Sequence, residues 1–189
     1  MPIEVNLVAG KGELGRLTGS LGKVMKESAE VAFSYVQSYL EENKDIFKKE
    51  IALLEKRDVN VHAPEGAVEK EGPSAGIALT TAILSALTNQ KVPADIGMTG
   101  EITSKGKVLE IGGLKEKAIA ACRSELKTII IPKSNEKDIE DIPEEVRREL
   151  TIIPVEEYEE VWKKIFAKKQ KKDVLPVKKR PTPKSQINP

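Results

Sequence analysis

Cysteine, histidine and aromatic residues are nearly missing from this chain. Of 189 residues, one is cysteine, Cys122, and one is histidine, His62. A single cysteine excludes an internal disulfide and fits a reducing compartment or a fold that needs no cross-link. With one histidine beside it, a zinc cluster built from thiolates and imidazoles is excluded as well. Charge of one sign is also lacking: 31 Lys and Arg against 30 Asp and Glu leave a formal net charge of +1. No global field draws in a nucleic acid, so DNA or RNA is not the expected partner. No stretch approaches the roughly 20 apolar residues that cross a bilayer, and the N-terminus has no basic segment leading into an apolar run. A protein without a membrane anchor, placed in the cytoplasm, is expected. A Gly-x-x-x-x-Gly-Lys-Ser/Thr phosphate loop is missing too, so this chain supplies no ATPase of that type.

What is present reads as globular. Hydrophobic residues make up 39% and charged residues 32%, and the length has room for one substantial core. Residues 1–166 carry the apolar periodicity of a domain. Residues 167–189 are rich in Lys and Pro and poor in large apolar side chains, a composition that cannot repay the entropy of ordering, so a basic, disordered tail is expected there. Within the domain, strands are expected at 3–9, 59–63, 96–102, 108–111, 128–132 and 151–155. Helices are expected at 21–40 with Ser20 as cap, 46–56, 75–88, 114–123, 136–150 and 156–166. The 75–88 segment is so apolar that it must be largely buried. Interleaved helices and strands predict a single compact α/β (α+β) domain with a mixed sheet.

Four features bear on the chemistry. Gly10-Lys11-Gly12-Glu13-Leu14-Gly15 matches the dinucleotide fingerprint, but Arg16-Leu17-Thr18-Gly19 intervenes where a helix should open, and Glu30 falls inside a helix instead of ending a second strand. The nucleotide reading fails on context, and no cofactor is expected. Ser74, in Gly72-Pro73-Ser74-Ala75-Gly76, sits at the entry to the buried helix. Small neighbours there admit a peptide backbone, and helix-start N–H groups can hold an oxyanion. Its alternative role is that of an ordinary N-cap. Lys115 shares a helical face with Ala118, Ile119 and Cys122, whereas Glu116, Lys117, Ala120 and Arg123 point elsewhere. A lysine on an apolar stripe either snorkels to solvent or is held desolvated, which favours the neutral amine a general base requires. His62 offers a rival base to Ser74, with Asp95 or Glu71 behind it as in an ordinary triad.

Taken together, the segments Thr18-Gly19-Ser20-Leu21-Gly22-Lys23-Val24-Met25-Lys26-Glu27-Ser28, Val61 to Ala67, Glu71 to Gly76, and Met98 to Thr103 through Ile111 to Lys117 resemble the proteolytic domain of the Lon family. They stand in the family's order, in its bacterial and organellar form. The resemblance implies a serine endopeptidase with a Ser-Lys dyad, Ser74 as nucleophile and Lys115 as base, with Thr99 orienting the amine and His62 and Glu71 in support. It implies polypeptide substrates, degradation of unfolded or damaged proteins, and a homo-hexameric ring. The cleavage itself needs no cofactor, and ATP is used by an AAA+ module in the same longer chain or in trans. Glu71 stands where this branch usually has aspartate, and Asn60 where many members have a second histidine. A non-catalytic Lon-like module for ring assembly or binding is the alternative that the same resemblance leaves.

Overall fold

The structure, a computed structural model, describes residues 1–64 and 71–166. The expected tail therefore lies outside the described residues. Strands β1 (Glu4–Ala9), β2 (Leu14–Thr18) and β3 (Arg57–His62) form one sheet in the order β1-β3-β2, antiparallel between β1 and β3 and parallel between β2 and β3. Strands β4 (Ile96–Met98), β7 (Thr128–Pro132) and β8 (Thr151–Val155) form a parallel sheet in the order β4-β7-β8. The hairpin of β5 (Glu101–Ile102) and β6 (Val108–Leu109) makes a third. Helices α1 (Lys23–Glu42), α2 (Lys48–Leu54), α3 (Gly76–Thr88), α4 (Leu114–Arg123), α5 (Glu144–Glu149) and α6 (Tyr158–Ile165) pack around these sheets, so the α/β class holds.

β7 shows how sequence becomes architecture. Its run Thr-Ile-Ile-Ile-Pro has no polar alternation because both faces are covered, as the crossover helices of parallel sheets require. Ile130 joins the large core with α1, α3 and α6, while Ile129 and Ile131 join a second core with Leu114 and Ala118 of α4 and Val146 of α5. Burying each isoleucine contributes about 1.5–3 kcal/mol. The scarce aromatics are spent in one place. Tyr35, Tyr39, Phe47, Tyr158, Trp162 and Phe166 form a connected cluster that pins α6 onto α1. Burial raises the Tyr158 phenol above its ordinary value and pushes that of Tyr39 up to about 12, while Tyr158 Oη and Thr81 Oγ1 share a hydrogen bond at 2.9 Å.

Several elements differ from the sequence expectation. β2 was hidden in a glycine-rich, charged stretch. Leu14 and Leu17 pair with β3 across a register shift, which breaks the alternation that marks a strand. The expected strand 96–102 is two strands in different sheets, because the chain leaves the parallel sheet at Thr99-Gly100. The expected acidic helix 136–150 is a 3₁₀ helix (Lys133–Asp141) followed by the short α5. Pro143 interrupts it, holding Ile142 extended at ψ 130°. Ser20 has φ 56°, so it does not cap α1, and Gly22 takes the N-cap position.

Candidate active site

The turn from Gly72 to Ala75 delivers Ser74 to the start of α3, and the β5 side of the fold holds its backbone. The Gly100 N–H donates to Ser74 O at 2.7 Å, the Thr99 hydroxyl donates to the same oxygen at 3.2 Å, and the Ile77 N–H donates to Gly100 O at 3.1 Å. This approach needs a glycine at 76, since a Cβ there would lie 2.6 Å from Ile102 N. α1 supports the turn from the other side. The buried Ser28 hydroxyl donates to Pro73 O at 3.3 Å. The Glu71 carboxylate lies against Gly22 at the start of α1, which has no side-chain cap. A carboxylate there is favoured by the positive end of the helix dipole.

Ser74, Thr99 and Lys117 line one cleft of about 290 Å³, with Ala75, Ala78 and Met98 among its apolar walls. The lysine beside Ser74 is therefore not the expected one. Lys115 is exposed and lines a separate acidic groove with Glu110, Glu116, Asp138 and Asp141. The physical reason is the rotation of α4. Its buried stripe is Leu114, Ala118 and Ala121, which turns Ile119 and Cys122 to the flank, sends Lys115 to solvent and brings Lys117, half-buried, to the cleft edge. The geometry thus brings Lys117, and not Lys115, into the cleft that holds Ser74.

His62 ends β3 outside that cleft, and its Nδ1 lies 2.8 Å from Thr18 Oγ1. Among the described residues no carboxylate bonds or pairs with it. Asp95 is exposed ahead of β4, where its main-chain oxygen accepts from Lys127 and Thr128, and Glu71 is engaged at α1. A triad headed by His62 is not assembled among these residues. The donors near Ser74 are also partly committed, since the Gly76 N–H reaches Pro73 O at 3.2 Å and the Ile77 N–H reaches Gly100 O.

Comparison of the sequence with known families gives a match to the Lon protease (S16) C-terminal proteolytic domain over residues 1–168. The chain belongs to the Lon protease family. It is 58% identical over 161 residues to Lon protease 1 of Bacillus subtilis, covering 85% of this chain and 20% of that protein. It is 55% identical over 166 residues to a Lon protease of Brevibacillus choshinensis, covering 88% and 21%, and 54% identical over 159 residues to that of Dictyoglomus thermophilum, covering 84% and 19%. The chain thus spans about a fifth of the length of these curated relatives.

Within the Lon-type domain, a usable sequence signal for Lys117 did exist. Leu114, Ala118 and Ala121 recur at i, i+4 and i+7, a tighter helical stripe than the Lys115 face. Small alanines gave it little apolar weight beside Ile119 and Cys122. Cys122 is not a nucleophile in waiting: its hydrogen bond to Glu149 Oε2 at 3.3 Å raises the thiol's pKa. No helix among the described residues is long and apolar enough to cross a membrane.

Proposed function

We propose that this domain hydrolyses peptide bonds in polypeptide substrates by a serine–lysine dyad, with Ser74 as nucleophile and Lys117 as general base. The observation that supports it most is the meeting of Ser74, Thr99 and Lys117 in one apolar-walled cleft. The neutral Lys117 amine takes the Ser74 hydroxyl proton as Oγ attacks the scissile carbonyl carbon. The resulting oxyanion is held by N–H groups of the Ser74 turn other than those of Gly76 and Ile77, which already have carbonyl partners. The carbon–nitrogen bond then breaks, and the Lys117 ammonium returns the proton to the departing amine. Water attacks the acyl-enzyme, giving one proton to Lys117, which restores the Ser74 hydroxyl as the carboxyl product leaves. Every proton moves between Ser74, Lys117, substrate and water, so the step calls for no metal or organic cofactor.

Thr99 acts beneath the dyad. Its hydroxyl and the neighbouring Gly100 N–H fix the Ser74 carbonyl, and it lines the same cleft as Ser74 and Lys117. Glu71 and Ser28 set the depth of the serine turn from α1. The domain is proposed to work within a cytoplasmic homo-hexameric ring, served by an AAA+ module, in the same longer chain or in trans, that spends ATP to unfold damaged proteins into this site.

The test uses the 189-residue chain without nucleotide. It should hydrolyse a short unstructured peptide slowly and leave a stably folded protein intact. A fluorophosphonate should label Ser74, as read by intact mass and peptide mapping, and Ser74→Ala should abolish both labelling and hydrolysis. Parental hydrolysis by Ser74→Ala would overturn the assignment.

A further inference from the structure

Lys117 rides on a helix whose entry is poorly constrained from within. α4 starts at Leu114 after Gly112-Gly113, its N-cap Gly113 has φ 71°, and no side chain caps it. Both glycines are exposed, and a Cβ on Gly112 would meet nothing within 4 Å. The buried stripe of α4 is small, with Ala118 and Ala121 following Leu114. Alanines seat a helix closely but resist axial sliding or rotation less than large interdigitating side chains do. Where the Lys117 amine comes to rest therefore depends on what fixes the chain just before the glycines.

That residue is Ile111, and one side chain grips both of its main-chain polar groups. Asn135 Oδ1 accepts from the Ile111 N–H at 3.0 Å, and Asn135 Nδ2 donates to Ile111 O at 2.8 Å and to Asp138 Oδ2 at 2.7 Å. The asparagine is 0% exposed. A planar amide bonded to the N–H and C=O of one residue fixes that peptide in position and direction, much as a neighbouring strand would. Asn135 sits three residues beyond the end of β7, and Ile130 of β7 accepts the Thr99 N–H at 3.0 Å. Thr99 in turn holds Ser74. The two halves of the cleft are thereby referenced to the same strand, the serine through Thr99 and the lysine through Asn135.

We propose that Asn135 is a positioning residue for the reaction: by clamping Ile111 it sets the register of α4 and so the distance from the Lys117 amine to Ser74. The inference rests on Lys117 being the base. Asn135→Asp keeps the shape and the acceptor for the Ile111 N–H, but removes the donor to Ile111 O and faces Asp138 with a like charge. Adding Asp138→Asn relieves that repulsion while leaving Ile111 O without its donor.

The experiment measures thermal midpoint, kcat, KM and the pH–kcat profile on a short peptide for the 189-residue chain, the single and double variants, and Lys117→Ala. The double variant should remain folded with KM changed by about threefold or less. Its kcat should fall on the order of 10- to 100-fold, the scale of a displacement of about 1 Å at a reacting group, and its pH profile should shift. A role confined to stability would lower the midpoint and leave kcat and the profile of the folded protein unchanged, which overturns the proposal. Lys117→Ala separates the two readings. If it keeps parental activity, the base assignment falls and the clamp's purpose with it. If it is inactive while the double variant keeps kcat, the clamp alone is wrong. Amide exchange on the unaltered chain tests the clamp without any substitution: the Ile111 N–H should be strongly protected and those of Gly112 and Gly113 should not. Rapid exchange at Ile111 refutes it.

Discussion

Replacing Gly76 by alanine sets two physical effects against each other with opposite signs. Gly76 is the first residue of α3, and alanine is the better helix former by about 0.8–1 kcal/mol. Its backbone is not in the left-handed region, so propensity alone predicts a more stable protein. The surroundings predict the reverse. A Cβ would stand 2.6 Å from Ile102 N, 2.9 Å from Ile102 Cγ2 and 3.2 Å from Gly100 O. The first and third are backbone atoms of the segment that holds Ser74, and that segment cannot swing aside as a flexible side chain would. Overpacking of this kind costs about 1–3 kcal/mol, so the net should lie against the fold by up to about 2 kcal/mol. For a domain of this size that corresponds to a midpoint lowered by up to about 8 °C. Relief of the clash lengthens the Gly100 N–H to Ser74 O contact, so peptidase activity should fall even well below the melting temperature. Calorimetry together with peptide hydrolysis at 25 °C checks both. A midpoint equal to or above the parent's with full activity would refute the packing argument.

Thr99→Val removes the hydroxyl that reaches Ser74 O and should lower peptide hydrolysis about tenfold, while Thr99→Ser should retain most of it; kinetics on folded protein decide. Tyr158→Phe deletes the hydroxyl paired with Thr81 and should cost about 0.5–1.5 kcal/mol in urea unfolding, with activity unchanged. The Glu160 carboxylate accepts from the Glu156 and Glu157 N–H groups, which hold its pKa below the ordinary 4.5. Its contribution is thus fully present above pH 4.5 and is lost as pH falls through the depressed folded value. Midpoints followed from pH 7 to pH 3 should show a smaller acid-induced drop for Glu160→Gln than for the parent. His62→Ala should keep most of the hydrolysis rate, since its ring bonds Thr18 and lies outside the cleft.

The sequence made legible those elements whose apolar pattern matches their burial. α3 is buried along most of its length and β7 on both faces, and each reads as a predominantly apolar run without charge. β2 was not legible, because exposed Gly15 and Arg16 separate its two leucines around a register shift. The split of 96–102 depends on a tertiary event, the departure of Thr99 and Gly100 to meet the Ser74 turn, which no local pattern encodes. Ser74 and Thr99 were legible from their motifs and share the cleft. The lysine that shares the cleft lies two positions beyond the one expected, since local periodicity favoured large flanking residues over the alanines that bury α4. Asn135 carried no signal: in an acidic, lysine-rich stretch it reads as surface, and its importance arises only where Ile111 meets the 3₁₀ helix.

The dyad itself is tested most directly by exchanging the fate of two lysines that stand two positions apart. Lys117→Arg keeps charge and bulk but cannot accept the Ser74 proton, whereas Lys115→Ala alters an exposed side chain in a different groove. Peptide hydrolysis measured across pH for both variants and the parent should show Lys117→Arg reduced on the order of 10²–10⁴-fold and Lys115→Ala near the parental rate. An active Lys117→Arg together with an inactive Lys115→Ala would contradict the account.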